Sequence, residues 1–161
     1  MAALSATISH TLAEPEAPVP EPPITIAVFE FQSPEESVRE VGSKVSTLVA
    51  AQLSTDSRLI TVERAELDKA LSEQELALSG SVSADTAAKV GNLTGAQTLV
   101  TGRIIKSGSE TVIVAKVIGT ETSRVFGVKA TLAEGGALSA VADDLARQIG
   151  DVAAKNRTAL V

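Results

Sequence analysis

The sequence predicts an α/β (α+β) domain of three layers on one mixed sheet, with elements in the order β-α-β-α-α-β-β-β-α. Through residue 95, short runs rich in β-branched residues alternate with stretches whose apolar residues recur at helical spacing. After it, three β-rich runs follow one another across short polar links, the pattern of an antiparallel meander. Composition sets the core: 44% of residues are hydrophobic but only 2% aromatic, namely Phe29, Phe31 and Phe126, so Val, Leu, Ile and Ala must fill it. At 161 residues the chain has the length of one domain.

All six prolines fall between Pro15 and Pro34, five of them within EPEAPVPEPP. Residues 1–23 are therefore expected to be a tether of polyproline-II character, followed by a folded domain over 24–157. Residues 24–31, ITIAVFEF, read as the first strand. Ser33-Pro34-Glu35-Glu36 then has the form of a capping box, with Val38, Val41, Val45, Leu48, Val49 and Gln52 or Leu53 on one face of the helix it opens. A short strand over 58–63 runs into the stretch VERAELDKALSEQELALSG, whose helix puts Leu67, Ala70, Leu71 and Leu78 on one face, pairs Lys69 with Glu73, and stops at Gly80. Ser83 caps a third helix through Leu93, and Gly95 is placed for a left-handed C-terminal cap. Strands over 97–105, 111–118 and 124–132 form two hairpins, and Leu138, Val141, Leu145, Ile149 and Val152 mark a last helix that must pack on the sheet.

The formal charge is −6, and Glu14, Glu16 and Glu21 sit in a segment without Lys or Arg. No basic cluster with stacking aromatics exists, which argues against nucleic-acid binding. No segment has the ~18 apolar residues of a membrane-spanning helix, and the first residues lack the pattern of a signal peptide, so an export signal is expected outside this sequence.

Catalytic groups are scarce. The only histidine, His10, lies in the tail and there is no cysteine, which excludes His- or Cys-based nucleophilic triads and the usual zinc ligands in the domain. Glu63, Glu66, Glu73 and Glu75 could serve acid–base chemistry only by facing one cleft; the expected reading is a solvated helix face. Asp143 and Asp144 are adjacent on a helix and make a poor shared metal site. Gly135-Gly136 lacks the fingerprint of a dinucleotide loop, and the Asn92-Leu93-Thr94 sequon falls inside a helix. Gly91 and Gly95, spaced GxxxG, are expected to let the third helix approach the sheet. Arg64, where chain turns into helix, can fork onto a carboxylate such as Glu73 to fix that corner, with contact to a partner as the alternative. No cofactor or metal is expected, and no enzyme activity.

The runs IAVFEF, LITVER, AELDKAL, SEQELALSG, TAAKVGNLTGAQTLVTGRI and VIVAKVIGTETSRVFG resemble the curli production assembly/transport component (CsgG) family, over roughly residues 24–155. The sharpest marks are Val62-Glu63-Arg64, Glu73-Gln74, Ser79-Gly80, Lys89-Val90-Gly91, Gly95-Ala96 and Thr101-Gly102. The resemblance implies a domain like the amino-terminal domain of the Tol-Pal translocation protein, periplasmic and outer-membrane associated, prone to ring-shaped self-assembly and without enzymatic activity. It makes Glu63, Arg64, Glu73, Gln74, Gly80, Gly91, Gly95 and Gly102 signature residues of structural kind. Two departures stand out: the links at 106–110 and 119–123 are too short for the long membrane hairpins of channel members, and the family's lipidated cysteine is missing. Ser123 also stands where the family commonly has glycine. The expected function is that of an assembly or secretion-accessory protein acting through copies of itself or envelope partners, held to a membrane only by an anchor outside this sequence. An envelope regulator that activates a cell-wall synthase is the alternative.

Overall fold

The computed structural model describes residues 19–73 and 83–161, with the side chains of Glu73 and Ala84 excepted. Five strands form one sheet in the order β2-β1-β3-β4-β5. β1 (Ile24–Val28) lies parallel to both β2 (Leu59–Thr61) and β3 (Thr98–Ser107). β3, β4 (Glu110–Gly119) and β5 (Val125–Leu132) form the expected meander. Helices α1 (Arg39–Leu53) and α4 (Leu138–Lys155) cover one face of the sheet, and α2 (Arg64–Glu73) and α3 (Ala84–Thr94) lie on the other, which makes three layers. A last short helix, α5 (Arg157–Leu160), buries Leu160 completely, so packing continues to residue 160.

The first strand departs from the simple reading. Phe29 and Phe31, two residues apart, would share a face in a regular strand. Yet Val28 pairs with Val100 and Gln32 bridges Arg103, so one extra residue is inserted between them, a bulge that reverses the alternation. Phe29 packs with α2 and α3 and Phe31 with α1 and α4, while Glu30 is pushed toward the surface.

The capping box does not form. Ser33 Oγ accepts from Glu35 N at 3.2 Å and donates to the Ile104 carbonyl, and the Glu35 carboxylate accepts from Lys106 N at 3.2 Å. These bonds tie the segment to β3, so a 3₁₀ turn over Glu36–Val38 comes first and α1 starts at Arg39. On α1 the buried stripe is Gly42, Val45, Ser46, Val49 and Leu53; Leu48 faces solvent at 37% exposure, because the helix sits low enough on Gly42 for the stripe to rotate toward it. Leu67, Ala70 and Leu71 of α2 are buried as the periodicity requires, whereas Leu78 and the Lys69–Glu73 pair lie outside the described side chains. Ser83 caps α3 by accepting from Thr86 N, and Gly95 closes it with φ +71°.

Candidate functional site

Among the family-signature positions, Glu63 and Arg64 sit where β2 turns into α2. Val62 N donates to the Ile26 carbonyl and Leu67 N to the Glu63 carbonyl, which fixes the corner from both sides. The expected fork of Arg64 onto Glu73 falls outside the described residues, because the Glu73 side chain does. Arg64 Nε donates to Asp68 Oδ1 at 2.9 Å, one turn along the same helix, and its Nη2 reaches Glu30 Oε2 at 3.4 Å. The bulge in the first strand is what delivers Glu30. All three groups are partly solvated, so the cluster orients α2 more than it stabilises the fold. Gln74 and Gly80 also lie outside the described residues.

The signature glycines mark close approaches. A Cβ on Gly102 would overlap the Phe31 ring, and one on Gly42 the Phe31 carbonyl, so Phe31 is wedged between sheet and α1 where any larger residue would collide. A Cβ on Gly91 would stand 2.6 Å from that of Thr120, but one on Gly95 would meet nothing within 4 Å among the described residues, so there only the first glycine of the GxxxG spacing marks a close approach.

The β4–β5 loop is a joint that sequence inspection missed. Thr120, almost fully buried, donates from Oγ1 to the Ala96 carbonyl at 2.9 Å, behind α3. Thr122 donates to the Ala159 carbonyl at 2.7 Å, in α5 on the opposite side of the sheet. Ser123 completes the turn with φ +56°. Two threonines flanking Glu121 in a loop headed by glycine were the available signal.

A second cluster joins the end of α1 to α4. Arg58 holds Asp56 through Nε at 3.0 Å and Nη2 at 2.7 Å and reaches Asp151 at 3.3 Å. The Arg58 hydrogen bonds hold the Asp56 carboxyl below its usual value against the opposing effect of burial, and the same bonds raise Arg58 further. Gly150 makes room: a Cβ there would stand 2.9 Å from Asp56 Oδ2. A groove of about 510 Å³ beside the cluster is lined by Gln52, Asp143, Asp144 and Arg147. Its charges are largely satisfied locally, Asp144 by Arg147 and Gln148.

Among the described residues, no group of His, Cys, Asp and Glu could hold a metal ion, and no helix is long and apolar enough to cross a membrane. Glu63 and Glu66 are exposed, and the Glu73 side chain and Glu75 lie outside the described residues.

Several solved structures share this fold at low identity. Lipoprotein GNA1162 from Neisseria meningitidis has a TM-score of 0.58 at 14% identity, covering 86% of this chain and all (100%) of that one. The LpoB C-terminal domain from Salmonella enterica has 0.54 at 12%, covering 73% and 87%. TolB from Acinetobacter baumannii has 0.53 at 11%, covering 86% of this chain but 29% of that one. No curated protein matches. The model of the family described as curli production assembly/transport component CsgG matches residues 7–113, about two thirds of the sequence, and the chain belongs to that family.

Proposed function

We propose that the protein is a non-enzymatic assembly or secretion-accessory component of the bacterial envelope, acting at the periplasmic side of the outer membrane through protein–protein contacts. The family match over residues 7–113 carries this reading. The residues support it: the folded part has neither histidine nor cysteine, and its ion clusters at Arg64 and Arg58 brace elements of the fold. The hairpin turns are short, two residues between β3 and β4, and the reading invokes no membrane pore. Chemical cross-linking in isolated envelopes, followed by mass measurement of the captured complexes, tests it. Discrete complexes with copies of itself or with secretion proteins are expected. A strict monomer by light scattering together with no cross-linked envelope partner would sink the idea.

A regulator that activates a cell-wall synthase is the second reading, favoured by the proline-rich segment ahead of a compact domain. Adding the protein to a peptidoglycan polymerase assay separates the two: an unchanged rate removes the regulator.

A further inference from the structure

Among the described residues no strand pairs with the outer edge of β5, and that edge is chemically marked. The two-residue turn closes on the Ser107–Glu110 pair, so even-numbered residues of β4 bond to β3 and odd-numbered ones to β5, where their partners are Phe126, Val128, Ala130 and Leu132. Val125, Gly127, Lys129 and Thr131 therefore direct their N–H and C=O groups away from the sheet. Among the described residues one of these groups is engaged by a side chain, the Lys129 carbonyl accepting from Gln148 Nε2 at 3.1 Å. The same four residues put their side chains on the face opposite α4, where no described helix covers the meander. Val125 is 53% exposed there, Ile105 41%, and no described residue comes within 4 Å of a Cβ placed on Gly127.

That face is cationic on an acidic protein. Arg103 and Lys129 flank Val114 in one cross-strand row, and Lys116 stands beside Gly127 in the next. None of the three has an ion-pair partner among the described residues, and within the three strands the only carboxylate is Glu110 at the far turn. Neighbouring strands lie about 4.8 Å apart, so the cations stand within about 10 Å of one another and make one positive surface, with Lys129 nearest the outer edge.

We propose that β5 takes an acidic extended segment of a partner protein as a sixth strand, with a carboxylate beside Lys129 and a large apolar side chain over Gly127. Strand addition supplies the backbone bonds, and the cations and the glycine notch select the sequence. The proposal rests on the contact role above and names its chemistry. A second copy of β5 is the poorer occupant, because it brings another Lys129 and no acid. The chain's own acidic segment is poorer too: Pro15, Pro18 and Pro20 remove donors from both of its edges.

The probe is the peptide acetyl-STETFTETS-amide, whose glutamates flank the Phe on one face in either strand direction, with acetyl-STKTFTKTS-amide as control. Titrated into the full chain, the acidic peptide should slow hydrogen exchange at Gly127, Lys129 and Thr131, and the control should bind at least tenfold more weakly. Lys129→Glu should reverse that preference, and Gly127→Pro, which removes an outward donor and fills the notch, should abolish protection while the melting temperature shows the fold intact. Should Gly127→Pro not fold, Lys129→Glu decides alone. Unprotected edge amides at about 1 mM peptide, a weak affinity by any standard, would overturn the proposal, as would equal affinity for both peptides or a dimer held by β5. Envelope complexes that survive Lys129→Glu would sink this edge and leave the contact role standing.

Discussion

The two faces of the sheet are built differently. Under α1 and α4 a continuous core reaches all five strands, from Leu59 on β2 through Val100 and Ile113 to Ala130 on β5. Under α2 and α3 the core takes in Ala27, Phe29, Leu99 and Ile118 and stops there, so the rest of the meander has no described helix above it. Burial of apolar area is the main stabilising term, so the first face carries more of the stability, and the second is where the proposed recognition would take place.

Truncation should expose that division most sharply. Phe31→Ala empties the wedge between Gly42 and Gly102 and is expected to cost about 3–5 kcal/mol, whereas Val114→Ala, half-buried on the open face, should cost less than about 1 kcal/mol. Urea unfolding followed by circular dichroism measures both. Equal losses would mean that the open face is covered in solution.

Much of this division was legible in the sequence, and its failures are instructive. Period-2 and helical patterns placed every strand and helix through α4 because each has one apolar face, and such faces leave their spacing in the sequence. The bulge before Gln32 left no such trace, since inserting one residue changes which face Phe31 serves without altering any local propensity. Likewise Ser33 and Glu35 look like a cap until the long-range bonds to Ile104 and Lys106 are known. At the candidate site, the signature marked Gly91, Gly102 and Arg64 but not their partners Thr120, Phe31 and Glu30, because pairing across the fold depends on register.

A flaw in the covered face offers a second test. Thr98, fully buried, has a hydroxyl without a hydrogen-bond partner among the described residues, and it sits on the same face as Ile26 and Val100. Thr98→Val keeps the shape and removes the orphaned group, so stability should rise by about 1–2 kcal/mol. A fall in the thermal midpoint would show that the hydroxyl is satisfied in solution.

The Asp56–Arg58–Asp151 cluster pins the rim of the covered face. Its groups are partly exposed, so screening limits its worth to about 1 kcal/mol or less. Asp56 is held below its usual carboxylate value, so its contribution is present above that value and is lost as pH falls through the lowered one. Denaturant midpoints between about pH 5 and pH 2 should therefore fall less steeply for Asp56→Asn than for the natural protein. Parallel curves would place the acid sensitivity elsewhere.

The smallest expected effect concerns the loop that ties the two sides together. Thr120 fastens it behind α3 and Thr122 fastens it to α5, which forces the intervening turn to close at Ser123 with φ +56°. A left-handed conformation costs an ordinary L-residue about 1–2 kcal/mol, while glycine there forfeits about 0.5–1 kcal/mol through its freer unfolded chain. Ser123→Gly should therefore stabilise by roughly 0.5 kcal/mol, and Ser123→Val should destabilise, because a β-branched residue fits that region worst. If Gly melts below Ser, the strain at this joint is relieved in solution, and the two threonines hold the layers less tightly than their 2.7 and 2.9 Å bonds imply.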